Sequence, residues 1–176
     1  MKVKYFDLKD KRVFITGGGS GIGASIVEHF CEQECEVYFV DINIKESKKL
    51  VSHLKKKRIK APHFIECNLL KIKKLENIIK KIIKSKGPID ILINNAANDD
   101  RHSTKEVNEK YWNNRMDVNL KHFFFTIKAV LKGMIQKKGG AIVNLSSVSW
   151  MLGEGDKVAY ETAKSAVIGL TRSFAR

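Results

Sequence analysis

A chain of 176 residues with 43% hydrophobic and 9% aromatic side chains can fill the core of one domain, which excludes a disordered or collagen-like protein. Lysine and arginine outnumber aspartate and glutamate by 33 to 19, so the formal net charge is +14 and a nucleic-acid ligand has to be considered. No apolar stretch has the ~20 residues of a membrane span, and the amino terminus lacks the apolar block of an export signal. We therefore expect a cytoplasmic protein with no membrane partner.

Short apolar runs alternate along the chain with longer amphipathic segments. The apolar runs predict five strands, at Arg12–Thr16, Glu36–Val40, His63–Cys67, Ile89–Ile93 and Ala141–Leu145. The segments between them predict a helix from the glycine cluster to about Gln33, two lysine-rich helices, a helical region with Tyr111 and Trp112, a long helix from about Asp117 to Lys137, and a last helix from near Val158. This alternation predicts an α/β fold with a doubly wound parallel sheet covered by helices on both faces, in a single domain over residues 1–176.

The positive charge is concentrated in the two windows Lys45–Lys60 and Lys71–Lys86. In both windows apolar residues recur at helical spacing, such as Leu54 in the first and Leu75 and Ile79 in the second. The lysines therefore belong to the outer faces of two amphipathic helices, and no aromatic residues are interleaved with them as in single-strand binders. This pattern favours a solvated surface, so we expect no nucleic-acid partner.

Three cysteines, Cys31, Cys35 and Cys67, are too few and too irregularly spaced for a disulfide framework. Cys31 and Cys35 could share a helix face and hold a metal ion, but no histidine or second cysteine pair completes the ligand set. We expect three small buried side chains and no metal site.

A glycine-rich turn follows the first strand, and it is the most informative segment of the chain. Such a turn lets the backbone approach a pyrophosphate and directs helix N–H groups at it. The candidate cofactor residues in this turn are Gly17, Gly19, Ser20, Gly21, Ile22 and Gly23. A tight strand-to-helix turn with nothing bound is the other interpretation.

Asp41 ends the second predicted strand, 18 positions after Gly23. A carboxylate at this place accepts hydrogen bonds from the ribose hydroxyls of an adenine dinucleotide and repels the 2′-phosphate of NADP, which predicts NAD as the cofactor. Asp41 could also cap the helix that follows, and the two roles are compatible.

Tyr160 and Lys164 are four residues apart on the last predicted helix and therefore share one face. A tyrosine that acts as a general base near neutral pH needs a pKa ~2–3 units below its usual value of ~10, and a cation one helical turn away lowers it. Ser147 precedes Tyr160 by 13 residues, at the end of a predicted parallel strand, where open α/β sheets place their active sites. An exposed surface pair is the alternative for the tyrosine and the lysine.

Together these motifs resemble the short-chain dehydrogenase/reductase family, in the family's order and spacing. The matching elements are Thr16-Gly17-x-x-x-Gly21-x-Gly23, Asn94–Asn95–Ala96–Ala97, Asn119, Ser147 and Tyr160-x-x-x-Lys164. Further segments resemble the bacterial NAD-dependent D-xylose 1-dehydrogenases within that family: Asn98–Asp99–Asp100–Arg101–His102, Tyr111–Trp112, Ser147–Val148–Ser149–Trp150 and Tyr160–Glu161–Thr162–Ala163–Lys164. The resemblance covers essentially the whole chain and implies a Rossmann-type fold.

The resemblance implies hydride transfer from C1 of an aldose such as D-xylose to NAD+, which gives a lactone. Tyr160 would accept the hydroxyl proton, Lys164 would lower the tyrosine pKa and contact the nicotinamide ribose, and Ser147 would hold the substrate oxygen. Asn119 matches the position that anchors a water in the family's proton relay. As a buried helix asparagine, it could also satisfy nearby backbone groups.

The remaining cofactor and substrate residues also follow from the resemblance. Asn68 and Leu69 are matched to the adenine, and Asn94, Asn95 and Ala96 to the wall of the adenosine ribose. Asn68 replaces the family's usual aspartate, and Ala97 replaces a glycine. For the sugar, the candidates are Asn98, Ser147, Trp150 and Tyr160, with Arg101 and Glu154 as further candidates. Trp150 could instead anchor its loop on the core, and Trp112 is expected in the core.

Members of this family continue beyond the last helix with two more strands and a helical lid over the substrate. We therefore expect a chain truncated within its last helix, with an exposed sheet edge and a pocket that it cannot close. The family's usual assembly is a tetramer whose long helix and last helix pack between subunits. The alternative function is a truncated Rossmann-type module that binds NAD or a partner without turnover.

Overall fold

A five-stranded parallel sheet lies at the centre of the structure, a computed structural model that describes residues 3–175. The strands, in chain order, are β1 (Arg12–Thr16), β2 (Glu36–Asp41), β3 (His63–Glu66), β4 (Ile91–Asn94) and β5 (Ala141–Asn144). Their spatial order is β3-β2-β1-β4-β5, with every neighbouring pair parallel. The order reverses between β1 and β4, and open α/β sheets bind their ligands beyond the carboxyl ends of the strands at such a reversal.

Helices cover both faces of this sheet. They are α1 (Gly21–Glu32), α2 (Ile44–Lys56), α3 (Ile72–Lys86), α4 (Glu109–Met116), α5 (His122–Gln136), α6 (Ser149–Leu152) and α7 (Val158–Phe174). Short 3₁₀ turns occupy Phe6–Leu8 and Thr104–Glu106, and a π-helical turn occupies Asp117–Lys121. The sequence had placed Arg176 inside the last helix, but that residue lies outside the described range.

Two hydrophobic layers form the core because successive residues of each strand point to opposite faces. In β1, Phe14 packs in the layer that includes side chains of α3 and α5, such as Ile79 and Ile127. Val13 and Ile15 pack in the opposite layer, with side chains of α1 and α2. The prediction of a doubly wound parallel sheet with helices on both faces is confirmed.

The long helix predicted from about Asp117 to Lys137 is not one regular α-helix. Its first five residues form the π turn Asp117–Lys121, and α5 begins only at His122. A π turn adds a residue to the helical repeat, and such turns concentrate at functional sites. Apolar spacing does not distinguish this turn from ordinary helix, so the sequence predicted a continuous element.

All three cysteines are buried and free. The expectation that Cys31 and Cys35 could share a helix face is wrong, because α1 ends at Glu32 and Cys35 lies in the turn before β2. Burial raises the pKa of Cys31 to about 12 and that of Cys35 to about 11, so both remain thiols at neutral pH. No group of three or more metal-ligating side chains occurs within residues 3–175. In the same range, no helix is both long and apolar enough to cross a membrane.

Candidate active site

The turn between β1 and α1 has the backbone that its glycines predict. Gly17 adopts a φ of +67°, and its N–H donates to the carbonyl of Val40 at 2.8 Å, which ties the turn to β2. A Cβ at Gly23 would lie 1.8 Å from the carbonyl oxygen of Gly17, so no larger residue fits there. Ser20 is the N-cap residue of α1, and its side chain makes no capping hydrogen bond to the first-turn amides. The turn is therefore built for close approach of an anionic group to backbone N–H donors.

Asp41, at the end of β2, is fixed by two backbone hydrogen bonds. One carboxylate oxygen accepts from the N–H of Gly19 and the other from the N–H of Asn43, each at 2.8 Å. The interpretation of Asp41 as a helix cap is wrong, because the N-cap of α2 is Asn43, whose side chain accepts from the N–H of Glu46. The Asp41 carboxylate therefore holds the glycine turn at the edge of the groove.

A groove of about 580 Å³ extends from the glycine turn across the carboxyl ends of β2, β3 and β4. Its lining includes these residues that the sequence predicted: Gly17, Ser20, Gly21, Ile22, Gly23, Asp41, Asn68, Leu69, Asn95, Ala96 and Asn98. Among the predicted site residues, the following do not line it: Gly19, Asn94, Asn119, Ser147, Trp150, Tyr160 and Lys164. Its volume and its glycine cradle fit a dinucleotide cofactor.

Asn94 and Asn95 shape the groove through contacts within the protein. Asn94 is fully buried, donates to the side chain of Asn144 at 2.9 Å and accepts from the hydroxyl of Thr126 at 2.7 Å. The side-chain amide of Asn95 donates to the carbonyl oxygens of Thr16 at 3.1 Å and Gly17 at 2.9 Å. Asn94 has no exposed surface with which to make the predicted contact with a cofactor. Asn95 both lines the groove and braces its glycine turn.

Asn119 lies in the π turn, fully buried, and holds the loop that follows β4. Its carbonyl oxygen accepts from the N–H of Asn98 at 2.7 Å, and its amide donates to the carbonyl of Asn98 at 2.9 Å. The side chain of Asn98 in turn accepts from the N–H of Asp100 at 2.9 Å. The expectation that Asn119 satisfies nearby backbone groups is confirmed.

Lys164 is buried beside Tyr160, which contradicts the alternative of an exposed surface pair. The residue is only 1% exposed. Its Nζ lies 5.7 Å from the centre of the Tyr160 ring and 5.3 Å from the centre of the Phe123 ring. Nζ donates to the carbonyl oxygen of Leu145 at 2.6 Å. Burial lowers the pKa of Lys164 to about 8, so the group is still largely protonated at neutral pH.

Ser147 follows a segment that is bonded directly to α7. The hydroxyl of Ser146 donates to the carbonyl of Lys164 at 2.7 Å, so this segment is joined to the lysine by both its side chain and its backbone. The half-buried Ser147 hydroxyl lies 2.9 Å from that of Ser149 and accepts the Ser149 N–H at 3.2 Å. These bonds set the position of the serine relative to the helix that carries Tyr160.

Arg101 and Glu154, the additional sugar candidates, belong to a cluster of ion pairs at the surface. Arg101 pairs with Asp156 and lies 3.9 Å from Glu154, which pairs with Lys157 at 2.6 Å. This cluster joins the loop after β4 to the loop before α7. Trp150 lies half-buried in α6, and no hydrogen bond or ring contact of its side chain identifies a role.

Comparison with known proteins shows to which family the chain belongs. The sequence model of the family described as short chain dehydrogenase matches residues 11–176 of this chain. The chain belongs to the short-chain dehydrogenase family. It is 44% identical over 172 residues to the D-xylose 1-dehydrogenase of Caulobacter vibrioides, covering 98% of this chain and 67% of the relative. It is 41% identical over 169 residues to the probable galactose dehydrogenase GalD of Rhizobium meliloti, covering 96% and 66%.

A solved structure supports the same family assignment. The ligand-free aldohexose dehydrogenase of Thermoplasma acidophilum is 31% identical and superposes with a TM-score of 0.84, covering 97% of this chain and 62% of that one. The chain thus spans 62–67% of the length of these three dehydrogenases. The resemblance to the family and its Rossmann-type sheet is confirmed.

Several residues of this dehydrogenase site carried no distinct signal in the sequence. Cys67, Asn114 and Val118 also line the groove, and only the folding of α4 and the π turn beside it brings the last two there. Outside the groove, His122 at the start of α5 is fully buried, and within residues 3–175 neither ring nitrogen has a hydrogen-bond partner. Its burial and the charge of Lys164 lower the pKa of His122 to about 3, so the ring is neutral. A lone histidine in an apolar helix has no spacing that reveals such a position.

Proposed function

We propose that this protein is an NAD-dependent sugar dehydrogenase that oxidises C1 of an aldose such as D-xylose to a lactone. The observation that supports it most is the buried Lys164 beside Tyr160, in a chain whose glycine turn lines a groove of dinucleotide size. The substrate class is supported by the two curated relatives above, which are named for xylose and for galactose. In this proposal the enzyme works in the cytoplasm.

The glycine turn and Asp41 are the proposed holders of the cofactor. The first-turn amides of α1 would face the pyrophosphate. Asp41 accepts one backbone N–H at each oxygen, and its remaining lone pairs are available to ribose hydroxyls. A fixed carboxylate at this place disfavours the extra phosphate of NADP, which supports NAD. When bound, the nicotinamide ring supplies the hydride acceptor.

Tyr160 is the proposed general base, which accepts the proton of the substrate hydroxyl at its phenolic oxygen. Lys164, whose Nζ lies 5.7 Å from the centre of the Tyr160 ring, is the proposed cation that supports this proton transfer. Ser147 orients the substrate oxygen with its hydroxyl. The side chain of Asn119 hydrogen-bonds both backbone groups of Asn98. Asn119 is also the proposed anchor of a water in the proton relay.

A module that binds NAD or a partner without turnover is not favoured. Burying an ammonium group weakens the folded state, as the lowered pKa of Lys164 indicates. A protein that only binds a cofactor gains nothing from Ser147, Tyr160 and Lys164 in the family's order and spacing. The intact set therefore supports catalysis.

The proposed assembly is a homo-oligomer, a tetramer by the family resemblance, that packs through α5 and α7. Apolar side chains on these helices are exposed although they lie on otherwise buried elements: Phe124, Ile135 and Ile168. Phe124 and Phe125 also line a shallow apolar depression together with Ala166 and Leu170 of α7. A surface of this kind is expected to be covered in the assembled enzyme.

The experiment that tests the function is NADH formation over a panel of aldoses. D-xylose, L-arabinose, D-galactose and D-glucose are each assayed with NAD+ and with NADP+, for the wild type and for Tyr160→Phe. We expect turnover with NAD+ and at least one aldose, and a loss in Tyr160→Phe of about two to four orders of magnitude with NAD+ binding by calorimetry unchanged. Wild-type rates in Tyr160→Phe would exclude it as the base, and a preference for NADP+ would exclude the role given to Asp41.

A further inference from the structure

Helix α7 begins without a cap from its own sequence. Its N-cap residue is Lys157, which makes no side-chain capping hydrogen bond. The first amides of a helix have no partner within it and need acceptors from elsewhere. One of them, the N–H of Ala159, donates to Nε2 of His102 at an N···N distance of 3.5 Å. The first turn of α7 thus takes an acceptor from the loop after β4, 57 positions earlier in the chain.

The imidazole of His102 is held from its other side as well. The residue is only 8% exposed, and its ring packs against that of Tyr111 with centroids 4.8 Å apart. Nδ1 lies 3.0 Å from the carbonyl oxygen of Asp100 and 2.8 Å from the hydroxyl of Tyr111. With Nε2 as the acceptor of the Ala159 N–H, Nδ1 is the ring nitrogen that can donate, toward the Asp100 carbonyl or the Tyr111 hydroxyl. The network therefore fixes one tautomer and one ring orientation.

The loop Asn98–His102 connects two parts of the proposed site. At its first residue, both backbone groups are bonded to Asn119 in the π turn. At its last residue, the His102 N–H donates to the carbonyl of Asp156 at 2.8 Å, and the ring accepts from Ala159. Tyr160 is the next residue after Ala159, so a displacement of the capped amide displaces the tyrosine with it.

We propose that His102 is a positioning residue for Tyr160. The imidazole of His102 caps α7 and thereby sets the position of the Tyr160 phenol. The proposal rests on the dehydrogenase function proposed above. Its physical basis is that a displacement of about 1 Å in a reacting group costs up to about a hundredfold in rate. Binding of the cofactor on the glycine turn, which belongs to other elements, is expected to be independent of this cap.

The shapes of the two amide side chains provide a matched pair of variants. In His102→Gln, the amide reaches the position of Nε2, so its oxygen can accept the N–H of Ala159. In His102→Asn, the amide reaches only the position of Nδ1, so a polar group remains toward Asp100 and Tyr111 but the cap is lost. Thr162→Ala is the control in the same helix, because this exposed hydroxyl bonds only to the carbonyl of Val158 at 2.8 Å.

The test measures kcat and the KM for NAD+ for these three variants, with hydrogen exchange of the Ala159 and Tyr160 amides. We expect His102→Asn to lower kcat about tenfold or more with KM for NAD+ unchanged and exchange of both amides accelerated. His102→Gln is expected to recover most of the kcat and the protection, and Thr162→Ala to match the wild type.

Two results would overturn the proposal: equal behaviour of the Gln and Asn variants in both measurements, or a rise in KM for NAD+ as large as the fall in kcat. The exchange measurement needs no turnover. If the wild type oxidises no aldose, the proposed function fails, while exchange of the Ala159 amide still decides whether His102 caps the helix.

Discussion

Lys164 illustrates how a single side chain can serve chemistry at the expense of stability. Its amine is buried, and Nζ donates to the carbonyl of Leu145. Its folded pKa of about 8 lies below the 10.5 of an exposed lysine, so the unfolded chain binds the proton more tightly. The charged form therefore weakens the fold at every pH below about 8, and this penalty disappears as the pH rises toward 10.5.

We accordingly predict that Lys164→Met raises the free energy of unfolding by about 2 kcal/mol at pH 7, after allowing for the lost hydrogen bond. The advantage should shrink between pH 8 and pH 10.5, where the wild-type lysine loses its proton in both states. Urea denaturation at pH 7 and pH 10 measures both values. Lys80→Met, at an exposed position of α3, serves as the control with no expected pH-dependent gain. A variant less stable than the wild type at pH 7 would refute the argument.

Residues whose role depends on local spacing were predictable from the sequence. Tyr160 and Lys164 share a helix face because they are four residues apart, and Asp41 ends a strand because an apolar run precedes it. Asn94 was different, because a strand-end asparagine can point into a groove or into the core, and only its partners Asn144 and Thr126 decide. The roles of Asn94 and of the long-range acceptor His102 therefore became visible only in the fold.

At the scale of elements, the π turn Asp117–Lys121 determines how α4 and α5 meet the groove. The turn buries Asn119 against the loop after β4, where its amide satisfies both backbone groups of Asn98. An apolar side chain at this place would leave the N–H and the C=O of the half-buried Asn98 without these partners, each at a cost of about 1–3 kcal/mol. The turn and the loop are thus one structural unit.

We predict that Asn119→Leu lowers the free energy of unfolding by about 3 kcal/mol and abolishes NADH formation. Asn113→Leu is the matched control, because Asn113 is an exposed residue of α4 and its replacement should change stability by less than about 0.5 kcal/mol. Denaturant titrations of both variants provide the comparison. Equal stability of the two variants would show that the bonds to Asn98 contribute nothing.

Strands were predicted more closely than helices, for a physical reason. In a parallel sheet buried on both faces, strands are continuous apolar runs, and all five were recognised: β1 has the predicted bounds, and the other four differ by one or two residues at their ends. Ile89 was included in β4 because it belongs to the apolar run; the structure buries it fully, but the strand begins at Ile91. Helix type was not predictable, since the apolar spacing of Asp117–Lys137 is compatible with both α and π turns. The one-turn helix α6 is too short to show a period.

At the scale of the whole molecule, the surplus of positive charge is largely uncompensated. The lysines of α3 and its N-cap are exposed, and among residues 3–175 none of them has an ion-pair partner: Lys71, Lys73, Lys74, Lys80, Lys81, Lys84 and Lys86. With a net charge of +14, such a surface repels itself in the compact state. The nucleic-acid interpretation is not needed to explain these lysines, because they occupy the outer face of an amphipathic helix whose inner face is in the core.

We predict that salt stabilises this protein. Between low ionic strength and physiological salt the Debye length shortens to about 8 Å, which screens repulsion among the lysines. The midpoint of urea denaturation should therefore rise with added NaCl. In Lys81→Glu, which gains an i, i+3 pair with Lys84, stability at low salt should increase by about 0.3–0.5 kcal/mol and the salt response should be smaller. A midpoint that falls with salt in the wild type would contradict the prediction.

The strand order also has a consequence for the growing chain on the ribosome. In the complete sheet, Val13, Phe14 and Ile15 of β1 are fully shielded from water. One of its neighbours, β2, is synthesised soon after it, but the other, β4, is not available until Ile91–Asn94 has been translated. During that interval the nascent protein presents an unpaired apolar strand edge, the kind of surface that chaperones bind and that promotes aggregation.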